Sequence, residues 1–306
     1  MTRRGTAVAH AGQAALRAHR EAARGVRRLV AEVYGATPAD ALILAPGSTV
    51  ALRLLFQPLH VRRVLLSDAE YFGPAAFPAA AVSAVPVEQL ATAAVRLRPD
   101  AVVLSVVSWH GERLPLERVF ASIRDALGAE APLLVADFAH AGAAGFPRIA
   151  ATGADVVIGD AGKWVTPADW PDRVAFLWLR TAALRRVAQR AFAPLYLGTS
   201  RPAGALEGRW VDPDAAARIA EWARGQRGVR SALLARHAAD LALAARLAAR
   251  CGLPAPATPL VCVPAGSAAR RIPRWARERG LTWRMPDGST RVTCRADARE
   301  PIADSQ

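Results

Sequence analysis

The stretches LLVADFAH at residues 133–140 and DVVIGDAGKW at residues 155–164 each contain an unbroken apolar run that ends in polar residues. Similar runs recur over the first 180 residues, and most are separated by Ala-, Leu- and Arg-rich segments of helical length. Continuously apolar strands that alternate with helices are typical of a parallel sheet covered by helices on both faces. The pattern predicts an α/β fold whose functional side chains lie beyond the carboxyl ends of the strands.

The apolar runs divide the chain into two parts. In the first part, a helix is predicted over residues 9–34, and strands are predicted at 41–45, 64–66, 101–107, 133–136, 156–158 and 174–179. Later elements are a helical region at 214–250, a strand at 259–263, a helix near 268–279, and short strands near 281–284 and 290–293. We therefore predict a large domain at residues 1–210 and a small α+β domain at residues 211–306.

The composition limits which cellular compartment and which binding partners are expected. No apolar run approaches the roughly 18 residues of a membrane span, and the basic N-terminus does not lead into an apolar signal core. Three scattered cysteines predict neither a disulfide framework nor a metal site, so we expect a reduced, cytoplasmic protein without a metal. The net charge of +14 comes from arginines spread along helical segments, and we do not expect nucleic-acid binding.

Lys163 is the only lysine among 40 Lys and Arg residues. Arginine carries surface charge as well as lysine does, but it cannot lose its proton near neutral pH and cannot serve as an amine nucleophile. A buried lysine can do so. An arginine-biased genome could leave one lysine by chance, so the neighbouring motifs decide between the two interpretations.

Polar residues at other strand ends are also candidates. Asp137 closes an apolar strand, and a buried acid needs a cationic partner such as a protonated pyridine nitrogen. Ser48 and Thr49 open a helix, where backbone N–H groups favour a phosphate, although an ordinary N-cap gives the same pattern. Tyr71, with Phe72 beside it, follows a strand and could stack on a flat ligand or pack in the core.

In this order the motifs resemble the class V aminotransferase and cysteine desulfurase group of pyridoxal phosphate (PLP) enzymes, of fold type I. The resemblance covers about residues 9–179, with a weaker match at 289–295. Its most specific parts are DFAHAG at residues 137–142 and KW at residues 163–164. DFAH looks most similar to kynureninases, whereas EY at residues 70–71 and SWHG at residues 108–111 look like the lyase that closes ergothioneine biosynthesis. The resemblance implies a three-layer αβα fold with a mostly parallel sheet.

The resemblance also implies catalytic roles. Lys163 would form the Schiff base with PLP and move the α-proton of the substrate. Asp137 would pair with the pyridinium nitrogen, and His140 would lie near the ring hydroxyl or a substrate carboxylate.

Further roles concern the phosphate, the ring and the substrate. Ser48 and Thr49 would hold the phosphate, Tyr71 would stack on the ring, and Ser108 would lie near the ring oxygen. Arg291 would bind the substrate α-carboxylate through its forked guanidinium. Asp160 stands where the family has a phosphate-binding serine, and a carboxylate repels a phosphate unless an arginine intervenes.

These roles favour an enzyme acting on an amino acid, most simply an aminotransferase. A lyase that cleaves a C–S or C–C bond is the first alternative, and a cofactor-free scaffold or binding protein that retains the fold is the second. Residues 274–290 contain no cysteine, which disfavours persulfide chemistry. The resemblance implies a homodimer. The family's usual segment before the first helix is missing from the sequence, so we expect a partner subunit to contribute to the site.

Overall fold

The computed structural model describes residues 3–36, 42–45, 47–70, 76–166, 174–181, 184, 212–225, 228–278 and 281–296. Within these ranges, seven strands form one sheet and three form a second. The large sheet contains β1 (Leu42–Ala45), β2 (Arg63–Ser67), β3 (Ala81–Val85), β4 (Ala101–Ser105), β5 (Leu133–Phe138), β6 (Val156–Asp160) and β7 (Ala175–Leu179). The small sheet contains β8 (Leu260–Val263), β9 (Thr282–Arg284) and β10 (Thr290–Thr293). The helices are α1 (Arg3–Tyr34), α2 (Ser48–Phe56), α3 (Leu90–Leu97), α4 (Leu116–Leu127), α5 (Pro213–Arg224), α6 (Val229–Cys251) and α7 (Arg274–Glu278).

The large sheet has the strand order β1-β7-β6-β5-β4-β2-β3. Strand β7 is antiparallel to both of its neighbours, whereas the other pairs are parallel. The mostly parallel α/β sheet predicted from the apolar runs is therefore confirmed. Strand β4 is buried along its whole length, as expected for a strand covered on both faces.

Helices cover both faces of the large sheet. One face packs against α1, α3, α4 and α5, and the other packs against α2. Helix α4 shows why these segments are helical: its buried residues recur at helical spacing and form one apolar stripe. A third apolar cluster joins the C-terminal half of α6 to the small sheet.

The helical region predicted over 214–250 is divided in the structure. Asp212 caps α5 by accepting the N–H groups of Asp214 and Ala215, and α5 ends at Arg224. Gly228 then takes a left-handed conformation, with φ of 62°, before α6 begins. Ile219 of α5 and Leu233 of α6 belong to the core of the large sheet, whereas Leu247 belongs to the cluster of the small sheet. The domain boundary near residue 210 stays a prediction.

Two other elements differ from the sequence prediction. Strand β3 was not predicted, because it is an edge strand with largely exposed residues and lacks a strong apolar run. The helix predicted near 268–279 is shortened, since the chain forms a 3₁₀ turn and then begins α7 after Pro273. No helix in the described ranges is both long and apolar enough to cross a bilayer.

Candidate functional site

The carboxyl ends of the parallel strands meet at one edge of the large sheet. Ala45 at the end of β1 and Asp160 at the end of β6 both pair with Ala175 of β7. On the other side of β6, Ser105 of β4 pairs with Asp137 of β5. The register therefore brings the segments that follow β1, β4, β5 and β6 to the same edge, as the sequence predicted.

Lys163 and His140 meet at this edge. Lys163 lies three residues after β6, and His140 lies two residues after β5. The Nζ atom of Lys163 is 2.9 Å from Nε2 of His140. The other ring nitrogen of His140, Nδ1, accepts the indole N–H of Trp164 at 3.3 Å. The amine of Lys163 thus contacts the imidazole of His140, which in turn accepts a hydrogen bond from the indole of Trp164.

Asp137 is a buried acid with few partners for its charge. Only 4% of the residue is exposed, and its Oδ1 accepts the Ala139 N–H at 2.8 Å. Its Oδ2 lies 3.5 Å from the Ser105 hydroxyl. Burial raises the pKa of Asp137 to about 6, although the Ala139 N–H and the charge of Lys163 act in the opposite direction. Such a carboxylate would be stabilised by a further cationic partner.

Glu70 is a second acid of the site that the sequence candidates did not include. Its Oε1 accepts the Ser105 backbone N–H at 2.7 Å and the Ser67 hydroxyl at 3.2 Å, and its Oε2 accepts the Ser105 hydroxyl. The residue is half-buried, but its carboxylate is enclosed against β4, and burial raises its pKa to about 7. Ser105 thus lies between two carboxyl groups. An acid that follows an apolar run in the sequence, as Asp137 also does, was the signal available.

Asp160 is directed at its own loop. Its Oδ1 accepts the backbone N–H groups of Gly162 and Lys163, each at 2.7 Å. Two such hydrogen bonds stabilise a carboxylate and fix the turn that carries Lys163.

Two arginines hold the backbone that follows this turn. Arg295 donates to the carbonyls of Lys163 at 3.0 Å and Thr166 at 2.7 Å, and Arg236 donates to those of Trp164 and Val165. Four successive carbonyls are therefore satisfied by guanidinium groups. Nothing in the sequence distinguishes these two from the other arginines, so they were missed.

A buried acid is associated with this arginine pair. Arg295 is 2% exposed, and its Nε lies 4.0 Å from Oδ2 of Asp240 on α6. The other carboxylate oxygen of Asp240 accepts the Ala296 N–H at 2.7 Å. These contacts connect α6, the end of the small sheet and the Lys163 segment.

Ser108 and Arg291 lie at a neighbouring turn. The buried Ser108 hydroxyl accepts the Glu112 N–H at 2.9 Å, so it closes the turn after β4. Arg291 of β10 stacks over the Trp109 ring, with 4.7 Å from Cζ to the ring centroid, and donates to the Trp109 carbonyl at 3.0 Å. Arg291 therefore connects the small sheet to the turn that follows β4.

The remaining sequence candidates are Ser48, Thr49 and Tyr71. Ser48 and Thr49 form the first turn of α2, after Gly47 as the N-cap residue. First-turn N–H groups have no partner within a helix and favour an anion. Tyr71 lies outside the described residues. In the described ranges, no group of three or more His, Cys, Asp or Glu side chains is placed to hold a metal ion.

The fold of this chain is similar to that of solved aminotransferases and of a C-S lyase. The chain is similar to an aspartate aminotransferase of subgroup IV from Thermus thermophilus, with 17% identity, a TM-score of 0.68, and coverage of 90% of this chain and 84% of that one. It is also similar to the cystine C-S lyase C-DES, with 17% identity, a TM-score of 0.66, and coverage of 92% and 84%.

A third similar structure is the alanine–glyoxylate aminotransferase from Nostoc sp., with 18% identity, a TM-score of 0.65, and coverage of 94% of this chain and 88% of that one. A variant of C-DES carries glycine covalently linked to a PLP cofactor. At these identities the similarity shows the fold. No family model matches the chain, and no curated protein sequence matches it.

Proposed function

We propose that the protein is a PLP-dependent enzyme that acts on an amino acid, most simply as an aminotransferase. The observation that carries the proposal is the meeting of Lys163, the only lysine, with His140 at the sheet edge where the buried Asp137 also lies. Aminotransferases among the similar structures support the same reaction class.

The residues at this edge fit PLP. A protonated ring nitrogen is the kind of cationic donor that the buried Asp137 carboxylate lacks, since its oxygens have only the Ala139 N–H and the distant Ser105 hydroxyl as described hydrogen-bond partners. Lys163 would hold the cofactor covalently as a Schiff base. The first turn of α2, with Ser48 and Thr49, offers N–H groups suited to the phosphate.

When bound, PLP supplies an electron sink that acidifies the α-C–H of an amino acid. The protein would supply the rest. Lys163 would carry the α-proton, His140 would orient the Lys163 amine, and Asp137 would keep the ring nitrogen protonated. We propose that Ser108 lies near the ring oxygen and that Tyr71 stacks on the ring.

Arg291 is the proposed contact for the substrate carboxylate. Arg291 is 8% exposed, its guanidinium stacks on the Trp109 ring, and its Nη1 donates to the Trp109 carbonyl. The planar fork of a guanidinium matches the two oxygens of a carboxylate. This arrangement favours an amino acid as the substrate.

A C–S or C–C lyase is the second candidate, because C-DES is among the similar structures. The kynureninase-like and ergothioneine-lyase-like motifs also favour this alternative. Persulfide chemistry has less support, since burial raises the pKa of the Cys262 thiol to about 11 and that of Cys294 to about 12. Raised thiol pKa values disfavour the thiolate that acts as the nucleophile.

The cofactor-free alternative depended on Asp160. Its carboxylate accepts two N–H groups of its own loop, which favours the ionised form, so this alternative stays open. We also propose that the enzyme is a cytoplasmic homodimer. The absence of disulfides among its three cysteines supports a reducing compartment.

The proposed function is tested by incubating the PLP-loaded protein with a panel of amino acids. Transamination predicts pyridoxamine phosphate and the matching 2-oxo acid in equal amounts in a single turnover. A lyase would instead release sulfide or a carbon fragment and retain PLP. Failure of the protein to bind PLP at all would contradict the proposal and favour the scaffold alternative.

A further inference from the structure

His140 lies between two nitrogen groups of different character. Nδ1 faces the Trp164 indole N–H at 3.3 Å, and Nε2 faces the Lys163 Nζ at 2.9 Å. The His140 and Trp164 rings meet edge to face, with an interplanar angle of 69°. The three side chains therefore form a chain of two hydrogen bonds that ends on the amine.

The donor and acceptor properties of these groups determine the direction of the two hydrogen bonds. An indole N–H can only donate, so Nδ1 of His140 must accept, and neutral histidine then carries its proton on Nε2. That Nε2–H points at Lys163, where only a neutral amine has a lone pair to accept it. A lysine ammonium would need Nε2 as acceptor, which moves the histidine proton to Nδ1 and sets it against the indole N–H.

We propose that Trp164 is a positioning residue that fixes the tautomer of His140 and thereby holds Lys163 as the neutral amine. The neutral amine is the form that condenses with an aldehyde. This inference deepens the proposed function and rests on it for its biological meaning. The property that it concerns, the protonation state of Lys163, can be measured in the protein without cofactor.

Packing keeps Trp164 in place for this role. The residue is 3% exposed, and the Arg295 guanidinium lies 5.6 Å from its ring centroid. Gly142 allows the close approach, because a Cβ atom there would lie 2.1 Å from the Trp164 Cβ. The Trp164 backbone carbonyl accepts a hydrogen bond from Arg236. The indole N–H is therefore directed at His140 by contacts on several sides.

Some charged groups around Lys163 favour its ammonium form, and others favour the neutral amine. The carboxylates of Asp137 and Asp160 favour an ammonium, and the charge of Lys163 in turn lowers the pKa of Asp137. The guanidinium groups of Arg236 and Arg295, on the backbone of the same segment, favour a neutral amine. Glu70 acts through Ser105 and Asp137 and adds negative charge only above the pKa of about 7 to which burial raises it. The hydrogen-bond chain biases this balance towards the neutral amine.

Because the chain contains a single lysine, the protonation of Lys163 can be followed by NMR titration. Full-length protein labelled with ¹³C at lysine Cε and freed of carbonyl ligands with hydroxylamine has one lysine signal, which needs no assignment. We expect its NMR titration midpoint at least about one unit below the value of ~10.4 for ordinary lysine. Trp164→Phe, which removes the N–H, should raise the midpoint by roughly one unit, a tenfold change in neutral amine at a given pH.

Trp178→Phe is the matched control. Trp178 is also buried, but its indole N–H has no hydrogen-bond partner among the described residues, so its removal should leave the Lys163 midpoint unchanged. If Trp164→Phe does not fold, benzothienylalanine at position 164 keeps the ring volume and replaces the N–H by sulfur.

A double-mutant cycle with His140→Gln tests the relay itself. The amide of glutamine can turn to suit either charge state of lysine, so Trp164→Phe should have no effect on the midpoint in that background. An ordinary midpoint in the wild-type protein, no shift in Trp164→Phe, or an equal shift with and without His140 would each overturn the proposal. Any of these results leaves Schiff-base formation at Lys163 possible, so the failure is distinct from a failure of the proposed function.

Discussion

Asp137 is a residue whose burial costs stability and whose charge serves the proposed chemistry. The residue is 4% exposed, and burial raises the pKa of its carboxyl group to about 6. A site that keeps such a group in place is organised for a partner that brings a positive charge. Two predictions separate this functional role from a purely structural one.

The first prediction concerns turnover. Asp137→Asn should leave Lys163 able to hold PLP, but it removes the charge that keeps the ring nitrogen protonated and so the electron withdrawal that acidifies the α-C–H. We expect α-proton exchange of a bound amino acid in heavy water to slow by about 10²-fold or more. Near-wild-type exchange would mean that Asp137 is a structural acid, for which asparagine is an adequate substitute.

The second prediction concerns stability without cofactor. The native pKa of Asp137 is raised from 3.8 to about 6, so its contribution to stability is greatest below pH 4 and is lost as the pH rises through 6. The free energy of unfolding of Asp137→Asn should therefore be about 1–3 kcal/mol larger than that of the wild type at pH 8. The difference should vanish near pH 4. The control is Asp125→Asn, at an exposed acid on α4, which should change the free energy of unfolding in urea by less than about 0.5 kcal/mol.

At the scale of elements, the end of the small sheet supports the Lys163 segment. Arg295 follows β10, is 2% exposed, and bonds two carbonyls of the segment while lying 4.0 Å from Asp240. Arg295→Ala should lower the free energy of unfolding by about 3–5 kcal/mol, because a buried charge loses its counter-charge. Arg271→Ala removes an exposed arginine that also bonds a carbonyl, and it should change stability by less than about 0.5 kcal/mol. Equal effects in denaturant titrations would contradict a supporting role for Arg295.

The sequence predicted the buried elements better than the exposed ones. Central strands such as β4 and β5 were confirmed because an uninterrupted apolar run has few alternatives to a buried strand. The edge strand β3 was not predicted, because its residues are largely exposed and Ser83 interrupts its apolar residues. The antiparallel direction of β7 depends on long-range pairing with β1 and β6, which no local pattern reports.

For the site, the sequence predicted which strand ends to examine but not the contacts between them. Asp137, His140 and Lys163 were singled out, and the structure brings His140 to Lys163. The role of Trp164 and the carbonyl contacts of Arg236 and Arg295 depend on tertiary packing. An arginine in an arginine-rich chain carries no local signal, so such contacts can be found only in three dimensions.

For the whole molecule, we predict a homodimer in solution. A two-fold pairing is the commonest closed arrangement of identical chains, and the resemblance to fold type I enzymes favours a site completed by a partner subunit. The mass from light scattering should be twice that of one 32.4 kDa chain at micromolar concentration. A monodisperse monomer with full activity would contradict this prediction.

The central claim is that Lys163 holds PLP, and borohydride reduction followed by peptide mapping tests it most directly. Saturated protein, reduced and digested, should carry one phosphopyridoxyl group on the peptide that contains Lys163, the only lysine in the chain. Lys163→Arg keeps the positive charge without a reactive amine and should abolish the label. With PLP bound at saturation, a wild-type peptide of Lys163 without the label, or a label that persists in Lys163→Arg, would contradict the account.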